Sequence, residues 1–210
     1  MGSTTPGWLA LPEDEFEERY RPPRGFTSGY LHRVLVRALG PAVNAAPSDE
    51  ALKRKPLVLD LTSPLPPRLR FYLYAATQHQ SERQPGTFKI QLSVGVTRDG
   101  KPAPPRAKRR WFDRTDNIRP IAIGYHPDWN LFILWDADLH DLNGGFGSSK
   151  NVQTPPEIVW SALAKDISHG SRRLHGGLTE TIVAARPHRL VEALSLRIDL
   201  SNESMCEGLF

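Results

Sequence analysis

Apolar and polar positions alternate most clearly between residues 87 and 96. Apolar side chains occupy every second position of this segment, and Lys89, Gln91 and Ser93 fall between them. A period of two predicts a strand that buries one face. Other short apolar or aromatic segments predict further strands at residues 57–61, 68–76, 120–125, 130–136 and 180–186.

Helical patterns are fewer, and each has a recognisable start. Thr27 precedes apolar positions spaced as on one face of a helix, which predicts a helix over 28–39 that ends at Gly40. Residues 154–167 begin with Thr154-Pro155-Pro156-Glu157. A hydroxyl, prolines in the first turn and an acid predict a helix that the Thr154 hydroxyl caps. A proline predicts the start of a last helix over 187–197.

These elements together predict an α+β protein. Few strands are separated by crossover helices, so we expect a largely antiparallel or mixed sheet with about three flanking helices. The glycine-rich segment 141–153 and the proline-rich segment 102–110 are predicted as loops. We expect an N-terminal arm over 1–27, a single domain over 28–200 and a C-terminal tail over 201–210.

Composition narrows the class of protein. The chain has 210 residues and no uncharged apolar stretch that approaches 18 residues, so no membrane-spanning helix or membrane partner is predicted. The single cysteine, Cys206, excludes an internal disulfide framework. The N-terminal residues show no basic-then-apolar leader, and together these features predict a cytoplasmic protein. The net charge of +4 permits a polyanionic partner.

Motifs for metal or nucleotide chemistry are weak. No Cys-x-x-Cys pair, histidine pair with a flanking acid, or phosphate-binding glycine motif occurs, so no metal or other cofactor is predicted for a binding protein. A nuclease that uses Mg²⁺ needs acids and a lysine near the attacking water. The weak candidates for such a site are Asp60, Asp99, Lys101, Asp136 and Asp138. Asp99-Gly100 is first of all typical of a hairpin turn, and the aspartates at 136 and 138 are first of all typical of a solvated strand end.

Positions suited to DNA contact are grouped in three segments. The polar strand face, the segment 135–153 and the basic loop supply amides, small donors, an aromatic ring and cations. The candidates are Lys89, Gln91, Arg106, Lys108, Arg109, Arg110, Trp135, His140, Ser148, Ser149, Asn151 and Gln153. A solvent-exposed strand face, a helix-capping loop and a solvated hairpin loop are the alternative interpretations.

An ordered set of short motifs carries a resemblance. It comprises Thr77-Gln78-His79, Arg83, Phe88-Lys89-Ile90-Gln91, Gly124-Tyr125-His126, Phe132-Ile133-Leu134-Trp135-Asp136, His140 and Ser148-Ser149-Lys150-Asn151-Val152-Gln153. This set resembles the DNA-recognition or restriction-endonuclease-like domains of bacterial restriction systems. Some of those domains are modification-dependent and fused to a nuclease domain.

The resemblance covers roughly residues 68–196 and implies double-stranded DNA as partner, a role in defence, and a nuclease or methyltransferase as a further partner. It also implies DNA-facing roles for seven positions: Lys89, Gln91, Trp135, His140, Ser149, Asn151 and Gln153. The chain departs from the pattern because it has no zinc-stabilised HNH module and no Asp/Glu-x-Lys motif within a strand.

Three hypotheses follow. The first is a module that recognises the sequence or modification of double-stranded DNA in a restriction system. The second is a Mg²⁺-dependent endonuclease that hydrolyses DNA phosphodiester bonds. The third is a scaffolding subunit that uses the acidic run Glu13–Glu18.

Overall fold

A computed structural model describes residues 26–78, 87–142, 144–147, 149–174 and 177–206. Residues 1–25 of the predicted arm over 1–27, with its acidic run, lie outside the described residues, as do His79, Arg83 and Ser148. The α-helices of the described part are α1 (Ser28–Leu39), α2 (Asp49–Lys53), α3 (Ala137–Leu142), α4 (Pro156–Lys165) and α5 (Leu190–Cys206). Its strands are β1 (Leu57–Asp60), β2 (Arg68–Ala75), β3 (Thr77–Gln78), β4 (Phe88–Leu92), β5 (Arg119–His126), β6 (Leu131–Trp135), β7 (Lys150–Thr154), β8 (Ile167–Arg173) and β9 (Thr179–Ala185). Short 3-10 turns cover Gly40–Ala42, Thr115–Asn117 and Pro187–Arg189.

The strands form two sheets, and the α+β prediction is confirmed. A six-stranded sheet has the order β1-β2-β5-β6-β9-β8, and a three-stranded sheet has the order β3-β4-β7. The pair β2–β5 is parallel, whereas the other pairings in the described part are antiparallel. The large sheet is therefore mixed, and the small one is antiparallel.

The central strands of the large sheet are buried on both faces. On β6, Phe132 and Leu134 pack into one core with helices α1 and α5, while Ile133 and Trp135 pack into a second core with β4, β7 and α4. This alternation follows from the period of two along a strand. The large sheet therefore lies between a helical layer and a layer made of the small sheet and α4.

The alternating segment at 87–96 forms β4, as predicted, although the regular strand ends at Leu92. Phe88, Ile90 and Leu92 are buried, and the side chains between them face outward. Gly124 on β5 allows the small sheet to approach, because a Cβ at this position would lie 2.7 Å from Cγ2 of Ile90.

Helix α1 has the predicted bounds. The Thr27 hydroxyl accepts a hydrogen bond from the Tyr30 N–H at 3.2 Å, which caps the first turn. Gly40 ends the helix with a φ of 53°, a conformation that other residues adopt at a cost.

Several local predictions differ from the structure. The predicted loop 141–153 contains strand β7, because β4, far away in sequence, supplies its hydrogen bonds. Thr154 ends β7 rather than capping α4, and its buried Oγ1 has no hydrogen-bond partner among the described residues. Helices α2 and α3 and strands β3 and β8 were not predicted. The last helix continues to Cys206 and so takes in the start of the predicted tail over 201–210. None of the helices in the described ranges is long and apolar enough to cross a membrane.

Candidate nucleic-acid interface

The outer face of the small sheet carries two polar pairs. Lys89 and Gln91 on β4 lie opposite Gln153 and Asn151 on β7, respectively. Gln91 and Asn151 are exposed, while Lys89 and Gln153 are half-buried. Directly opposite side chains on an antiparallel pair lie about 5 Å apart. The structure therefore brings four sequence-predicted residues together, and we call these four the polar face.

The polar face exists because the alternate positions of both strands are buried. Ile90 on β4 and Val152 on β7 are fully buried against the large sheet. Their neighbours must face outward because successive side chains of a strand point to opposite sides. Ser149 extends the face, since its hydroxyl accepts a hydrogen bond from Gln91 Nε2 at 2.8 Å.

The basic loop, residues 102–110, is fixed to the segment that leads into β7. The Arg110 N–H donates to the Phe146 carbonyl at 2.9 Å, and the Phe146 N–H donates back at 2.7 Å. Arg109 Nη1 donates to the Gly145 carbonyl at 3.2 Å. These bonds hold the loop near the end of the small sheet.

The cations of this loop remain available to an anion. Arg106, Lys108 and Arg109 are exposed, and Arg110 is half-buried. Arg110 Nη2 donates to the Pro105 carbonyl, and none of the four forms an ion pair with a carboxylate in the described ranges. Their positive charge is therefore not neutralised within that part of the chain.

Two predicted DNA contacts are core residues instead. Trp135 is 1% exposed, and its Nε1–H donates to the Gln153 carbonyl at 3.1 Å, so the indole supports β7 from beneath. His140 is 1% exposed and lies among buried charges. Neither ring is accessible to a base. The sequence placed Trp135 at a strand end and His140 in the segment after it, but it did not show that both side chains face the interior.

His140 belongs to a buried network around Glu180. Glu180 is fully buried and accepts hydrogen bonds from Arg172 Nε at 2.7 Å and from the Asp136 N–H at 3.1 Å. His140 Nε2 lies 2.8 Å from Glu180 Oε1, and its Nδ1 lies 3.0 Å from Lys150 Nζ. Burial alone would raise the pKa of Glu180, but the neighbouring His140 and Arg172 hold it below its usual value.

Asp136, one of the candidate nuclease acids, is also part of this network. Its Oδ2 accepts hydrogen bonds from Arg197 Nη2 at 2.9 Å and from the Ser201 hydroxyl at 3.1 Å. Its Oδ1 accepts from the Leu139 N–H at 3.0 Å and so caps the first turn of α3. Arg197 Nη1 also donates to the Thr181 carbonyl. The carboxylate therefore joins α5 to α3 and has no solvated strand-end position.

The remaining nuclease candidates are separately engaged. Asp138 pairs with Arg114 at 2.7 Å and with Arg119 at 3.1 Å, and Asp60 pairs with Arg68 at 2.5 Å. Residues 97–101 form a turn, in which the N–H of residue 100 donates to the carbonyl of residue 97 at 3.0 Å. Asp99 and Asp138 line one cavity of about 900 Å³, but Arg114 lines it too.

No group of three or more histidine, cysteine or acidic side chains suited to a metal ion occurs in the described ranges. Asp99 and Lys101 lie in the turn over residues 97–101, which agrees with the hairpin-turn interpretation of Asp99-Gly100.

A second cavity, of about 720 Å³, borders the polar face. Gln91 and Ser149 line it together with Tyr74 and Trp129. Sequence reasoning missed both aromatic residues as site candidates. Two signals could have pointed to them: Tyr74 is an aromatic residue near the end of a predicted strand, and Trp129 is a tryptophan in the connection between two predicted strands.

Comparison with known proteins gives a family. A family model described as Methylase-associated X1 matches residues 67–194. No curated protein and no solved structure matches the chain. The matched residues include the polar face, the basic loop and most of the buried network, whose members Arg197 and Ser201 lie beyond the match. The chain belongs to the Methylase-associated X1 family.

Proposed function

We propose that this protein binds double-stranded DNA and recognises its sequence or modification beside a DNA methylase in a bacterial restriction system. The description of the family supports the methylase link. The observation that carries the DNA-binding part is that the exposed basic loop is hydrogen-bonded to the segment leading into β7, the strand that carries Asn151 and Gln153 of the polar face. A nuclease or methyltransferase partner would perform the chemistry.

Cations and amides have different roles in this proposal. Arg106, Lys108 and Arg109 would neutralise phosphates, which gives affinity without sequence information. Gln91 and Asn151 present amides, which donate and accept hydrogen bonds at base edges. The basic loop would therefore set affinity, and the polar face would set preference.

The dimensions of the small sheet suit the major groove. Strands β4 and β7 pair over five residues, which corresponds to about 17 Å of strand. Strand β3 pairs with β4 only at Phe88 and Lys89, so the rest of the β4–β7 pair is a two-stranded ribbon, which fits a groove about 12 Å wide. Outward side chains at alternate positions of one strand lie about 7 Å apart, so they would contact base pairs about two steps apart.

No observation favours the alternative of a Mg²⁺-dependent endonuclease. Asp136 is bound to Arg197, and Asp138 to Arg114 and Arg119. Incubation of methylated and unmethylated plasmid with Mg²⁺ is a direct check, and cleavage that depends on Asp99 or Asp138 would favour the nuclease over the binding module.

The experiment for the proposed function is a salt titration of duplex binding. Fluorescence anisotropy would follow labelled duplexes that are unmethylated, cytosine-methylated or adenine-methylated. A variant with Arg106→Ala, Lys108→Ala and Arg109→Ala removes three cations from the basic loop. A matched control with Arg37→Ala, Lys53→Ala and Arg54→Ala removes the same charge from the helical layer. All six side chains are exposed.

The basic-loop variant is expected to reduce the slope of log K against log salt concentration by about 2 to 3, because each phosphate contact contributes about 0.9. The control is expected to keep the slope of the unaltered protein. Asn151→Ala is expected to alter the ranking of the duplexes and leave the salt slope unchanged. Equal slopes for the basic-loop variant and the control would overturn the proposal.

A further inference from the structure

The cavity of about 720 Å³ has a defined position in the fold. It lies where strand β2 ends, beside β3, and it is closed on other sides by the connection between β5 and β6 and by β4. Its volume falls in the range of small-molecule sites, about 300 to 1,000 Å³. We refer to it as the aromatic cavity.

Two aromatic rings of the aromatic cavity are held in fixed positions. The Tyr74 hydroxyl donates to the Ser93 carbonyl at 2.6 Å and accepts from the Ser93 N–H at 3.0 Å. The Trp129 ring contacts the rings of Phe88, His126 and Trp160, with centroids 5.0, 5.3 and 5.6 Å away. Rings that are already fixed can stack a base with little further loss of conformational entropy.

The aromatic cavity also contains an unsatisfied buried polar atom. His126 lines it and is 9% exposed, and its Nδ1 has no hydrogen-bond partner in the described part of the chain. Buried polar groups normally have a partner, and an unpaired one costs free energy. Desolvation lowers the pKa of His126, although Asp128 opposes this, so the neutral ring can donate or accept a hydrogen bond.

Further polar groups lie around the rings. Gln78 and Gln91 supply amides to the lining, and Lys55 Nζ lies 3.9 Å from the centre of the Tyr74 ring. Lys55 is exposed as a residue, and although burial of its ammonium lowers the pKa to about 8, the group stays mostly protonated at pH 7 and can attract a phosphate. Fixed rings, amides and a nearby cation are together the chemistry that recognises a nucleotide.

The aromatic cavity is continuous with the polar face, because Gln91 belongs to both and is hydrogen-bonded to Ser149, which also lines the cavity. We infer that the aromatic cavity receives one base that is swung out of the duplex bound on the polar face. This inference rests on the proposed function. A base within a duplex exposes only its edges, whereas an extruded base exposes its whole perimeter, so a modification of one base can be read there.

Energetics provide the test. Extruding a paired base costs a few kcal/mol, and the cost is least for a base that is already unpaired. A protein that uses the aromatic cavity should therefore prefer a duplex with a single unpaired base over the same duplex fully paired. A protein that reads only the groove should not.

The experiment compares fully paired duplexes with duplexes that carry one mismatched or bulged base, scanned along the sequence, by anisotropy at fixed salt. 2-Aminopurine at the unpaired position reports its environment. The unaltered protein is expected to bind the best mismatched duplex at least ten-fold more tightly than the paired one, with altered 2-aminopurine fluorescence. Trp129→Leu is expected to abolish that preference and keep paired-duplex affinity within two-fold.

Matched variants keep the test interpretable. Trp160 is 53% exposed and does not line the aromatic cavity, so Trp160→Leu is expected to retain the preference. Trp129 contacts the core residue Phe88, so its replacement can disturb the core as well as the cavity. Gln78 is an exposed residue of the lining, and Gln78→Ala is therefore a second test. It is expected to reduce the preference for the mismatched duplex at least three-fold.

Salt-dependent binding with equal affinity for paired and mismatched duplexes would overturn this inference and leave the proposed function standing. Absence of binding to either duplex would overturn both.

Discussion

Glu180 is the residue whose replacement tests the buried network most directly. Glu180→Gln keeps the size of the side chain and removes its charge. The change leaves Arg172, which donates from Nε and Nη2 at 2.7 Å each, without its carboxylate. It also removes the charge that lies 2.8 Å from His140 Nε2.

The magnitude follows from burial. Removing one partner of a buried ion pair costs about 3 to 5 kcal/mol, because the other charge stays buried without compensation. The Arg172 side chain is 16% exposed and can recover some hydration, which places the loss near the lower end, about 3 kcal/mol. With a urea m-value of about 2 kcal/mol/M, the unfolding midpoint should fall by about 1.5 M.

Urea unfolding followed by circular dichroism at pH 7 measures this shift. Glu192→Gln is the matched control, since Glu192 forms an exposed pair with Arg189, and its loss should stay within about 0.5 kcal/mol. Arg172→Met, alone and with Glu180→Gln, completes a double-mutant cycle in which the two losses should not add. Equal midpoints for Glu180→Gln and Glu192→Gln would refute the importance assigned to the network.

Two further predictions concern the cores. Burial lowers the pKa of His32 to about 4, against 6.5 when unfolded, so its contribution to stability is complete above pH 6.5 and is lost as the pH falls toward 4. The control is His32→Gln, which keeps a donor near the Leu52 carbonyl. Between pH 7 and pH 5 the free energy of unfolding of the unaltered protein should fall by about 2 kcal/mol more than that of His32→Gln, as measured by urea unfolding at both pH values. A parallel pH dependence of the two proteins would contradict this prediction. Gly124→Ala should lower the free energy of unfolding by about 1 to 3 kcal/mol in the same measurement, because the added Cβ would press on Ile90. Gly95 has open space around it, so Gly95→Ala is the control and should unfold at nearly the original urea midpoint.

Local patterns determined the parts of the fold whose signals lie within a few residues. The alternation around Ile90 predicted β4 and its outward Lys89 and Gln91, because a period of two assigns each side chain to a face wherever the strand is placed. Thr27 and Gly40 bounded α1 for a similar reason, since capping acts within one turn.

Strand β7 illustrates what local patterns could not determine. Asn151 and Gln153 occur in a polar, glycine-flanked segment that is typical of a loop. They form a strand because β4 offers hydrogen bonds and Val152 is buried against the large sheet. Tertiary context thus overrode a weak β propensity.

The candidate site shows the same division. The sequence by itself supplied the charge of the basic loop and the amides of the polar face, since these properties belong to the residues. Only the tertiary structure decided that Trp135 and His140 are buried, and that Tyr74 and Trp129 enclose a cavity. The physical reason is that accessibility and cavities arise from packing between residues far apart in the chain, so no short segment encodes them.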